Sequence, residues 1–111
     1  MNIWYRVSNL EAAREFYVGR LGFREVYLDN EDRWARLERD DVEIAIAEGN
    51  GAAAEGEGAV ATLVVDDIRG EAERLRSAGV EVGTVVEIPG TIRLLDVFDP
   101  DGNRVQLSED I

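Results

Sequence analysis

From Ile3 to Val7 the chain alternates, IWYRV, which sets Ile3, Tyr5 and Val7 on one side of an extended strand and Trp4 and Arg6 on the other. The period then changes. Leu10, Ala13, Tyr17 and Leu21 recur at helical spacing, and Ser8, three residues before Glu11, offers a capping box. Gly22 closes this helix, since glycine takes the left-handed C-terminal position without steric cost. Alternation returns in FREVYL, DRWARLE and VEIAIAE, a predicted meander of three short strands.

The same order of parts recurs further on. VATLVVDDIRGEAERLRSAGVEVGTVV runs from a strand through a helix with stripe Ile68, Ala72 and Leu75, capped by Asp66 or Asp67, to Gly79 and a further strand. Val7 matches Val65, and Gly22 matches Gly79 at an offset one residue different, as a duplicated module requires. TIRLLDVF, a DPDG turn and NRVQLSE complete the second copy. Between the copies, GNGAAAEGEG has the composition of a flexible connector.

The pattern predicts an α+β fold of two tandem βαβββ modules forming a curved mixed sheet with an open concave groove. It is expected as one domain: module one 1–48, linker 49–58 and module two 59–111. Neither half buries its sheet alone, and the open face needs a ligand or a second subunit to cover it. A homodimer is therefore expected.

Composition narrows the chemistry. The 111 residues carry 24 acidic groups against 12 arginines, no lysine and no cysteine, for a net charge of -12. Nucleic acid is a poor partner for such a surface, because its affinity comes largely from cationic contacts to phosphate. No apolar run approaches the roughly 18 residues of a membrane span, and MNIWYRVS lacks the layout of a signal peptide, so a cytoplasmic protein without a membrane partner is expected. Histidine is absent altogether. That removes the commonest general base and the commonest nitrogen ligand for zinc or iron, and with them Ser-His-Asp catalysis and any His-bearing metal triad.

Through VSNLEAAREFYVGRLGF, VDDIRGEAERLRSAGVEV and FDPDGNRVQLSE the chain resembles the vicinal oxygen chelate superfamily of glyoxalases, bleomycin-resistance proteins and dioxygenases. The resemblance implies a divalent metal held by His and Glu from the first and last strands of each module. The corresponding positions hold Asn2, Ala45, Val60 and Gln106, which are not a competent ligand set. It therefore implies the branch that binds a small organic molecule, such as an antibiotic, in a dimer groove, with no metal and no cofactor.

Strand phase selects the groove residues. With Ala35 and Leu37 in the core, Trp34, Arg36 and Glu38 turn to the open side together with Trp4 and Arg6. Ile44 and Ile46 leave Glu43 and Ala45 on that side, and Val105 and Leu107 leave Arg104, Gln106 and Ser108. Arg93 is expected to join them. The ligand-binding set is thus Trp4, Arg6, Trp34, Arg36, Glu38, Glu43, Arg93 and Gln106, with no catalytic residue assigned. Tryptophans on a face otherwise polar either line a pocket or cover a subunit contact. Two other readings stay open: a glyoxalase-like lyase, isomerase or dioxygenase with a non-standard metal site, and a non-catalytic partner module.

Overall fold

The computed structural model describes residues 3–49 and 58–111, so Asn2 and most of the expected connector lie outside the described residues. The chain divides into two units, Met1–Ala59 and Val60–Ile111.

In the first unit β1 (Ile3–Val7) leads into α1 (Leu10–Arg14), which continues as a π-helical segment, Glu15–Arg20. Strands β2 (Arg24–Asp29), β3 (Trp34–Arg39) and β4 (Val42–Glu48) follow, and the sheet order is β1-β4-β3-β2 with β1 parallel to β4. The helix begins one residue later than expected. Asn9, extended at φ -142°, is the cap, its side chain accepting from the Ala12 N–H at 2.9 Å; Ser8 sits just outside, and Glu11 turns to Arg33 instead of closing a capping box. The stripe Leu10, Ala13, Tyr17 and Leu21 is buried against Tyr5, Val7, Ala35, Leu37, Ile44 and Ile46. Tyr17 stacks on Tyr5 with ring centroids 5.7 Å apart and meets Phe16 and Phe23 edge-on. Gly22 at φ 73° ends the helical run.

The second unit repeats the plan: β5 (Ala61–Val64), α2 (Ile68–Ser77), β6 (Glu81–Val82), β7 (Val86–Ile88), β8 (Ile92–Phe98) and β9 (Arg104–Asp110). Its order is β5-β9-β8-β6, with β7 also on β8 and β5 parallel to β9. The stretch expected as one strand, VEVGTVVEI, is broken into β6 and β7 around Gly83, whose N–H bonds the Asp96 carbonyl at 2.8 Å. The first unit carries a milder irregularity at the same place, a bulge between Glu25 and Tyr27 in β2. Asp67 caps α2, accepting from the Gly70 N–H at 3.1 Å, and Ile68, Ala72 and Leu75 are buried with Leu63, Leu95, Val97, Val105 and Leu107. Among the described residues no helix is long and apolar enough to cross a membrane.

Candidate functional site

Pairing register decides what shares the face of the first sheet that α1 leaves uncovered. Trp4 lies opposite Ala45, which lies opposite Arg36, which in turn lies opposite Tyr27. The next row runs Arg6, Ala47, Trp34 and Asp29, and the row on the other side joins Glu43, Glu38 and Arg24. Large side chains thus stand on β1, β3 and β2, while the intervening β4 supplies two alanines. The aromatic rings meet across that low floor: Trp4 and Trp34 have centroids 5.7 Å apart at 42°, and Tyr27 and Trp34 5.1 Å apart at 49°.

Six of the residues expected at a binding surface, Trp4, Arg6, Trp34, Arg36, Glu38 and Glu43, therefore share one face of the first sheet. Glu38 is held by Arg24, which offsets the repulsion of two glutamates placed directly opposite each other. Arg6 reaches the Gly49 carbonyl at 3.4 Å. Arg36 has no hydrogen bond or ion pair among the described residues, and its Nε is buried without an acceptor. A buried donor left unanswered costs about 1–3 kcal/mol, so this one stands out. Ala45, expected on the open side, occupies that face but is only 2% exposed, flanked as it is by Trp4 and Arg36.

Tyr27 was not expected among these residues. FREVYL gives no phase for it by simple alternation, because the bulge at Val26 sets Glu25 toward α1, where it pairs with Arg14, and Tyr27 toward Trp34. The signal lay in the cross-strand neighbour rather than in the strand itself.

In the second sheet Gln106 does lie on the face away from α2, between Thr62 and Asp96, and its Oε1 accepts from the Thr62 hydroxyl at 3.5 Å. Ser108 shares that face, yet it is buried between Val64 and Leu94. Arg93 does not join them. It falls in phase with buried Leu95 and Val97 on the helix side of β8, where Glu87 at 2.7 Å and Glu109 at 3.0 Å hold it. Both acids raise its pKa, Glu87 the more strongly. The cause of the misplacement is the apolar run LL in TIRLLDVF, which leaves alternation without a phase.

The family model described as Glyoxalase/Bleomycin resistance protein/Dioxygenase superfamily matches residues 2–107. The chain belongs to this superfamily. Solved structures agree on the fold. An integron cassette protein from the mobile metagenome of the Halifax Harbour sewage outfall is 24% identical with a TM-score of 0.81, the alignment covering 98% of this chain and 96% of that one. An antibiotic binding protein from Streptomyces sp. CB03234 is 24% identical with a TM-score of 0.77, covering 99% and 93%. A bleomycin resistance determinant encoded on the transposon Tn5 is 19% identical with a TM-score of 0.73, covering 99% and 96%. No curated protein matches the chain at the sequence level.

The metal used by enzymes of this superfamily does not fit the donors found here. Register places Trp4 beside Ala45 and Thr62 beside Gln106, two residues along from Asn2, which lies outside the described residues, and from Val60. The first unit offers there a methyl and an indole. The second offers a hydroxyl, an amide engaged by that hydroxyl, and one carboxylate, Asp96, which Arg104 holds at 3.5 Å. Neither gathers the imidazole and free carboxylate such an ion requires. Among the described residues, no group of three or more carboxylates is gathered to hold a metal ion.

Proposed function

We propose that the protein binds a small organic molecule on the aromatic face of its first sheet, without metal, and sequesters it as a homodimer in the cytoplasm. The observation that carries this reading is the Trp34 ring in contact with both Trp4 and Tyr27, on the face where β4 supplies Ala45 and Ala47. Aromatic side chains bordering a small-residue floor provide a broad apolar contact surface, the usual substance of a ligand site. The superfamily supports it in kind, since its solved members include an antibiotic binding protein and a bleomycin resistance determinant. The dimer is supported by apolar side chains on the second sheet that need a cover: Val64 and Val86 are 66% and 56% exposed on the face away from α2, on either side of Ser108 and Leu94.

The test is a titration of intrinsic tryptophan fluorescence with metal-free bleomycin, a panel of neutral aromatic compounds and a series of divalent metals. Saturable quenching by an organic compound, lost in Trp34→Ala and indifferent to metals, is the expected result. A response to metals alone overturns the reading in favour of an enzyme with an unconventional carboxylate site. Sedimentation at rising protein concentration reports the dimer.

A further inference from the structure

Arginine is the only cationic side chain in this protein, and carboxylates outnumber it two to one. Of the twelve arginines, all but Arg36 have a polar, charged or aromatic partner among the described residues: Arg14 has Glu25, Arg33 has Glu11 and Glu48, Arg93 has Glu87 and Glu109. Among the described residues Arg36 alone makes no hydrogen bond or ion pair, and its Nε is the one buried side-chain donor there without an acceptor. Its position gives the fact meaning. Across β4 it faces Ala45 and then Trp4, across β2 it faces Tyr27, and Trp34 stands two residues before it on the same face.

The nearest acids do not answer it. Glu38, two residues along the strand, is taken by Arg24, and Glu43 stands opposite Glu38 in the adjoining row, diagonal to Arg36. The Arg36 Nε is buried, but the planar guanidinium still offers its two Nη groups, a fork that matches a carboxylate with two parallel hydrogen bonds. We infer that the molecule bound on this face is an aromatic acid, its ring against Trp4, Trp34 and Tyr27 and its carboxylate on Arg36. This deepens the proposed function and rests on it. It also sets the ligand charge opposite to that suggested by the net charge of the protein: a local cation without a partner selects an anion even though the whole surface is acidic.

Calorimetric titration of the intact protein with naphthoate, naphthamide and naphthylmethylammonium of the same ring substitution separates ring from charge. Wild type is expected to bind the naphthoate at least about tenfold more tightly than either analogue, because a site built to pair an acid is left with an unanswered donor by the others. Arg36→Met, close in length and apolar, should erase that advantage and bring naphthoate affinity down to that of naphthamide in the same variant; Trp34→Ala should weaken all three. Should Arg36→Met fail to fold, Arg36→Lys retains the charge without the fork, and a severalfold loss confined to the naphthoate is expected. Equal binding of naphthoate and ammonium, tightest binding of the ammonium, or a naphthoate preference that survives substitution of Arg36 would each overturn the inference while leaving an aromatic site in place. Failure of all three probes to bind wild type would overturn both the inference and the proposed function.

Discussion

The Glu48 carboxylate accepts the backbone N–H of Leu10 at 2.8 Å, joining the last residue of β4 to the first turn of α1. The second unit repeats the contact at the same distance, between Glu109 and the Ile68 N–H. An arginine completes each: Arg33 donates to Glu48 at 3.0 Å and Arg93 to Glu109 at 3.0 Å. A carboxylate at a free N-terminal amide is favourable both as a hydrogen bond and through the partial positive charge of the helix end.

Acid should therefore loosen the first unit through identifiable groups. Hydrogen bonding to Arg33 and then to the Leu10 N–H lowers the Glu48 pKa, and Arg33 likewise lowers that of Glu11. A carboxylate whose folded-state pKa is depressed contributes stability above its unfolded value and loses it as pH falls through the folded one. Stability should hold from neutrality down to the ordinary carboxylate value of 4.5 and decline below it. Urea midpoints followed against pH should show a shallower acid decline in Glu48→Ala, and hydrogen exchange at Leu10 should accelerate. An unchanged acid slope would mean that the contact carries no pH-dependent stability.

The turn before β9 is organised by Asp99, which is 4% exposed. Its Oδ1 accepts from the Asp101 and Asn103 N–H groups at 2.9 Å each, and its Oδ2 from Asn103 Nδ2 at 2.8 Å. Asp99→Ala should cost about 2–3 kcal/mol in urea unfolding, since it strands several donors around a buried position. Asp99→Asn, which keeps an acceptor at Oδ1, should cost less than half of that.

The sequence reached further into the fold than into the site. Period and capping residues located both helices and all but one of the strands, and strict alternation in IWYRV and RWARLE correctly put Trp4, Trp34 and Arg36 on one face. What it missed follows from local departures from period two. The β2 bulge hid Tyr27, the LL run hid the phase of Arg93, and Gly83 divided a strand that composition alone leaves whole. Ser8 and Asn9 are adjacent, competent caps, and only backbone geometry chooses between them. The lack of an acceptor at Arg36 is a matter of three-dimensional neighbours and has no one-dimensional signature.

At Gly22 the backbone is left-handed, φ 73°, and a Cβ built there would meet nothing within 4 Å. The cost of a side chain is thus conformational rather than steric. Gly22→Ala should lower stability by about 1 kcal/mol, and Gly22→Asn by less, because asparagine tolerates this region better. Thermal melts of the two variants provide the check, and a stabilised Gly22→Ala would contradict the conformation.

Ala45 offers a test of the aromatic face that leaves every ring intact. Ala45→Leu adds bulk between Trp4 and Arg36 at a position already buried, with an overpacking cost of about 1–3 kcal/mol. Tryptophan emission should shift, and organic-ligand affinity should fall by about tenfold or more if the alanine floor is where the ligand rests. Ala47→Leu, beside Trp34 in the next row, should behave the same way; retained affinity in both would place binding elsewhere.

The parallel pairing of β1 with β4 and of β5 with β9 makes each unit's opening strand wait for its closing one. On a translating ribosome the first strand has no partner until residues 42–48 have emerged, and β5 has none until 104–110 have followed. Two separate intervals of synthesis thus leave an unpaired strand edge exposed. Arg6 places a charge on the first of these edges, the kind of residue that disfavours edge-to-edge pairing with another molecule.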